Sequence, residues 1–89
     1  MNIRFTDDGW GDYQHWVASD RDVLKRLNAV IEDARRSPFK GLGKPEPLKG
    51  TLAGLLSRRI TGDHRLVYRV AGKARTDQHM DVAASRYHY

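Results

Sequence analysis

The chain has 89 residues, a formal net charge of +5 and no cysteine. That length allows one domain with one modest core and leaves no room for a separate cofactor domain. The absence of thiols excludes disulfides, thiolate metal sites and a cysteine nucleophile, and the charge favours polyanionic partners: RNA, DNA or an acidic protein.

Ile3 and Phe5 alternate with polar neighbours, which predicts a short half-buried strand over residues 2–6. Thr6, Asp7 and Asp8 then offer a helix N-cap and acidic first-turn residues. Trp10, Tyr13, Trp16 and Val17 recur at helical spacing and predict one apolar, core-facing side of a first helix. Ser19 and Asp20 interrupt it and can cap a second helix. There Val23, Leu24, Leu27, Val30, Ile31 and Ala34 form the apolar face, opposite a charged one. Ser37-Pro38 ends this helix, because the residue before a proline avoids the α region.

Residues 39–50 are rich in Gly, Pro and Lys, a composition that predicts a loop without a regular element. Pro45 and Pro47 flank Glu46 and stiffen the backbone that carries it. Residues 52–60 and 65–70 predict a hairpin around the turn Thr61-Gly62-Asp63-His64. A polar turn over residues 71–79 leads to a last strand over residues 80–89. The order βααβββ predicts a single α+β domain over residues 1–89, with two N-terminal helices on a mainly antiparallel sheet. No apolar stretch approaches the roughly 20 residues that a bilayer span requires. Residues 1–6 do not resemble a secretory leader, so the expected location is cytoplasmic.

Successive strand side chains point to opposite faces. Arg58 and Arg59 therefore diverge, and only one can join a shared site. On the same rule Arg86 and His88 share a face of the last strand. RNA carries its own nucleophile, the 2′-hydroxyl. Cleavage then needs a base, an acid for the leaving 5′-oxygen, and cations around the phosphorane-like transition state. No metal or other cofactor is required. Histidine suits the acid role because its unperturbed pKa of about 6.5 lies near neutrality; Glu46 on its stiff loop is a candidate base. His15, His64, His79 and His88 show no metal-ligand spacing. Asp7, Asp8 and Asp12 are better explained by the start of a helix than by a hard cation.

Several stretches, in order, resemble the YoeB (Txe/YoeB) toxins of bacterial toxin–antitoxin modules, within the wider RelE-like group. They are Arg35-Arg36-Ser37-Pro38-Phe39, Gly43-Lys44-Pro45-Glu46-Pro47-Leu48-Lys49, Ser57-Arg58-Arg59-Ile60-Thr61, His64-Arg65-Leu66-Val67-Tyr68 and Arg86-Tyr87-His88-Tyr89. The resemblance implies a microbial-ribonuclease-like fold and translation-dependent cleavage of mRNA in the ribosomal A site. It also implies a homodimer and a cognate YefM-like antitoxin. By motif position, Glu46 resembles the general base and His88 the general acid. Arg65 would stabilise the transition state, and Arg59 and Lys49 would assist at phosphate. Tyr89 would orient or stack on the scissile nucleotide, and Arg86 would support RNA binding. Leu56, Lys40 and the segment Ala71 to Gln78 depart from the family's usual pattern, away from these residues. The rival reading is a non-catalytic basic module that binds rRNA and blocks translation by occlusion, with the same arginines as phosphate contacts.

Overall fold

The computed structural model describes residues 1–87. The acid and nucleotide-orienting roles expected of His88 and Tyr89 therefore lie outside the described residues. The elements are β1 (Asn2–Phe5), α1 (Asp7–Ser19), α2 (Arg21–Arg36), β2 (Glu46–Pro47), β3 (Leu56–Arg59), β4 (Arg65–Ala71) and β5 (His79–Ala84). The strands form one sheet in the order β1-β5-β4-β3-β2. Among the described residues only β1 and β5 pair in parallel; the other neighbours are antiparallel. The expected α+β architecture is present.

Local chemistry sets the helix boundaries. The Thr6 hydroxyl accepts the Gly9 N–H at 3.0 Å and caps α1. Asp20 serves both helices: its N–H donates to the Trp16 carbonyl, and its carboxylate accepts the N–H groups of Asp22 and Val23 at 3.1 Å. One residue thus ends α1 and starts α2. The core lies where the α2 stripe of Leu27, Val30, Ile31 and Ala34 meets Leu66, Tyr68, Met80 and Val82 of the sheet, with Trp16 and Ile60 at its margin.

Several expectations need correction. Trp10 is not core; it is 51% exposed, whereas Trp16 is 5% exposed. Gly9 is the reason: a Cβ there would collide with the Val82 carbonyl, so α1 lies backbone-to-backbone on β5. The buried stripe runs from Gly9 to Trp16 and leaves Trp10 beside it, resting on Phe5 and Tyr13. The 39–50 loop contains a regular element after all, because Glu46 and Pro47 pair with Ser57 and Leu56. The third strand begins at Leu56 rather than residue 52, since Gly50–Leu52 forms a 3-10 turn. The last strand stops at Ala84. The Ser85 N–H is drawn away to the Asp12 carboxylate, and Tyr87 takes the left-handed conformation at φ +59°. The strand alternation expected to run on through Arg86 stops at Ala84, and the face expected of His88 lies outside the described residues. Asp12 anchors the chain after β5 and is not an N-terminal helix charge.

Candidate active site

Period-two alternation separates Arg58 from Arg59 as expected. Arg58 pairs with Leu66 on the helix-covered face and has 0% exposure; Arg59 is exposed on the opposite face. That open face collects the candidate residues through strand register. Glu46 lies across from Ser57 in β3, and Arg59, two residues along β3, lies across from Arg65 in β4. Glu46, Arg59 and Arg65 line one cleft of about 260 Å³, together with Arg26, Gly43, Lys44 and Ile60. Four cations therefore surround one carboxylate.

The loop reaches the cleft by a backbone contact. The Arg59 N–H donates to the Gly43 carbonyl at 2.8 Å. Gly43 has φ +76°, and a Cβ would lie 2.5 Å from the Arg59 carbonyl oxygen. Both the conformation and the proximity require glycine. Lys44 follows in the left-handed region at φ 53°. It turns the chain into Pro45 and β2. Arg65 is oriented from below: its Nε donates to the hydroxyl of buried Ser57.

Not every expected residue joins this group. Lys49 is exposed ahead of the 3-10 turn and does not line the cleft. Arg86 is half-buried with its guanidinium 5.3 Å from the Tyr87 ring centroid, also away from the cleft lining. Arg26, Lys44 and Ser57 are the members that sequence reasoning missed. Lys44 and Ser57 lay inside the resembling motifs without a role. Arg26 sits on the charged face of α2, where nothing in the periodicity marks it out from its neighbours.

The segment after β5 is held over the same end of the molecule. Trp16 Nε1 donates to the Ser85 carbonyl at 3.0 Å. The Tyr87 N–H donates to His64 Nδ1 at 2.7 Å, and the Tyr87 carbonyl accepts the Arg65 N–H at 2.9 Å. His64 packs edge-on against Trp16 and beside Tyr87. The residue before His88 is thus fixed at both backbone polar groups by two consecutive residues, one of them lining the cleft.

Beneath the loop lies a buried polar network. Arg58 Nη1 is 2.8 Å from Asp33 Oδ2, which also accepts the Leu42 N–H at 2.9 Å. The Leu42 N–H and then the Arg58 guanidinium hold the Asp33 carboxyl below the usual carboxylate range. Burial pushes the Tyr68 phenol up, so it remains a donor to the Pro38 carbonyl. On the far side of the sheet, burial tends to raise Asp81, but hydrogen bonds from Arg69 and Arg4 prevail and lower it.

A carboxylate flanked by guanidinium groups in an open cleft can accept a proton beside a bound phosphodiester and neutralise charge developing on it. No group of three or more metal-ligating side chains occurs among the described residues. Two helices packed on a five-stranded, mainly antiparallel sheet, with a basic cleft at the β2–β3–β4 end, are an architecture shared with solved toxins of the RelE-like class. A solved YoeB/ParE toxin from Agrobacterium tumefaciens superposes with a TM-score of 0.93 at 47% identity, covering 100% of both chains. YoeB from Staphylococcus aureus, solved as a dimer and as a YoeB–YefM complex, matches with TM-scores of 0.86 and 0.85 at 38% and 37% identity. Each covers 100% of this chain and 98% of the other. Toxin YoeB of Streptomyces coelicolor is 55% identical over the whole of both sequences. Residues 5–89 match the model of the YoeB-like toxins of bacterial type II toxin–antitoxin systems, and the chain belongs to that family.

Proposed function

We propose that this toxin is an endoribonuclease that cuts mRNA in the ribosomal A site by metal-independent general acid–base chemistry and so stops translation. The observation that carries the reading is the convergence of Glu46, Arg59 and Arg65 on one cleft. Glu46 takes the proton of the RNA 2′-hydroxyl, and the 2′-oxygen attacks the adjacent phosphorus. Arg65, braced by Ser57, and Arg59 stabilise the pentacovalent transition state. The phosphorus–5′-oxygen bond breaks and His88 protonates the leaving oxygen, giving a 2′,3′-cyclic phosphate and a 5′-hydroxyl. Tyr89 orients the scissile nucleotide, and Lys49 and Arg86 bind flanking phosphate.

The test is induced expression in a sensitive bacterium followed by primer extension on a reporter mRNA. New ends inside codons are expected for the native chain. Loss of about 10²–10⁴-fold in cleavage is expected for Glu46→Ala and His88→Ala. Arrest without new ends, or full cleavage by both variants while folded, overturns the reading. Growth arrest that survives loss of both but not of Arg59 and Arg65 identifies instead a basic module that occludes the ribosome.

The partners follow from the relatives. The solved YoeB–YefM complex and YoeB dimer support a YefM-like antitoxin and a homodimer for this chain. A cleft lined by four cations attracts an acidic segment that folds on binding and covers Arg59 and Arg65. Action on ribosomes places the protein in the cytoplasm; no helix among the described residues is long and apolar enough to cross a membrane.

A further inference from the structure

Glu46 is delivered by a loop with almost no regular structure of its own. Between the end of α2 at Arg36 and β2 at Glu46 there is only turn and bend. Phe39 and Lys40 are exposed, so packing of the loop's own side chains does not shape it. Its backbone carbonyls do. Arg58 Nη2 donates to the carbonyls of Ser37 and Lys40, and Nη1 donates to the carbonyl of Leu42 as well as to Asp33 Oδ2. Nε donates to the Tyr68 hydroxyl at 2.9 Å, and that hydroxyl donates to the Pro38 carbonyl.

A guanidinium has five N–H donors in a fixed planar fork. Here those five donors meet five acceptors: three loop carbonyls, the Asp33 carboxylate and the Tyr68 phenol. The Leu42 N–H returns to the same carboxylate oxygen, so donor and acceptor groups of the loop are both used. A buried arginine leaving any donor unmatched would be costly. The loop is therefore held to one path, and that path ends at Gly43, whose carbonyl is bonded to the backbone of Arg59 in the cleft.

We infer that Arg58, with Asp33 and Tyr68, is a positioning device for the general base: a buried template that sets where Glu46 stands relative to Arg59 and Arg65. This rests on the nuclease reading and adds residues that touch neither RNA nor the reacting atoms. Arg58 and Arg59, adjacent in sequence, thus divide the work across the sheet. Arg59 meets the phosphate on the open face, while Arg58 shapes from the buried face the loop that brings the base.

A misplacement of about 1 Å in a reacting group can cost about 100-fold in rate. Substrate affinity, carried mainly by surface cations, is left nearly intact. The experiment is single-turnover cleavage of ribosome-bound mRNA by Arg58→Lys, Asp33→Asn and Tyr68→Phe, each alone and combined with Glu46→Gln. Circular dichroism confirms the fold. Arg58→Lys keeps the charge but lacks the fork. The expected result is a fall of about 10–100-fold in the saturated rate, with the half-saturating toxin concentration changed less than about threefold. No further fall is expected when Glu46 is already Gln, because the template then has no base to place.

An equal further fall in the Glu46→Gln background, a loss expressed only as weaker binding, or undiminished cleavage overturns the inference. If Arg58→Lys does not fold, Tyr68→Phe decides, since it removes only one acceptor and one donor and keeps the ring. Full activity of Glu46→Gln alone would instead defeat the assignment of the base. The two failures are therefore distinct.

Discussion

Arg59 and Arg65 stand directly across from each other in the β3–β4 ladder. Like charges at opposed positions destabilise a sheet, by an amount of the order that favourable pairs gain, roughly 0.2–1 kcal/mol. No hydrogen bond from the Arg59 guanidinium occurs among the described residues, and Arg65 reaches only the neutral Ser57. The pair makes sense in the presence of an anion.

The first prediction follows from that repulsion. Arg59→Gln should raise the urea midpoint slightly, by an amount equivalent to about 0.2–1 kcal/mol, while it weakens RNA binding. The slope of log affinity against log salt should fall by about one. Equilibrium unfolding and a salt titration with a short RNA measure the two effects. A variant both less stable and unchanged in salt slope would contradict the assignment of Arg59 to phosphate.

A second prediction concerns the chain terminus. Removal of His88 and Tyr89 should abolish cleavage while the thermal midpoint moves little, because the anchors Trp16 to Ser85, His64 to Tyr87 and Asp12 to Ser85 all remain. A fully active truncated protein would overturn the terminal assignment.

The anchors themselves can be tested. Trp16→Phe leaves the buried Ser85 carbonyl without its indole donor, and the cost should be about 1–3 kcal/mol. His64→Ala removes the acceptor of the Tyr87 N–H and the ring between Trp16 and Tyr87. Cleavage should fall and carboxypeptidase digestion of the terminus should quicken, with β4 retained. Unchanged digestion would show that His64 does not hold the tail.

Acid should weaken both the loop and the Arg4–Asp81–Arg69 cluster on β5. Asp33 and Asp81 both have carboxyl groups held below their ordinary value. Each favours the native state while ionised. The contribution is complete above about pH 5, where an unfolded aspartate has lost its proton, and fades as pH falls below that and through the lowered native value. Urea midpoints measured from pH 6 downwards should drop steeply for the native protein and less steeply for Asp33→Asn. Parallel curves would rule out Asp33 as a contributor.

The sequence displays best what depends on local period. The stripe of α2 from Leu27 to Ala34 is buried as its spacing requires, and the divergence of Arg58 and Arg59 follows from strand alternation alone. Glu46 was marked by its flanking prolines. The misses are features set by distant partners. Trp10 has the same spacing as a core residue, but Gly9 and the backbone of β5 decide how α1 is rotated. The end of β5 depends on Asp12, 73 residues away from Ser85. Arg26 enters the cleft only because α2 lies beside the end of β3, and no property of its own sequence neighbourhood says so. The role of Arg58 required seeing which carbonyls surround it.

The parallel pairing of β1 with β5 joins residues 2–5 to residues 79–82. A chain synthesised from its N-terminus cannot close that sheet until its last strand has emerged. Until then β1 lacks its neighbour, α1 lacks the surface it packs on, and Trp16 lacks the carbonyl of Ser85. Completion of the fold therefore waits on the emergence of β5, and until that strand is free of the ribosome the sheet that carries the cleft stays open at its β1 edge.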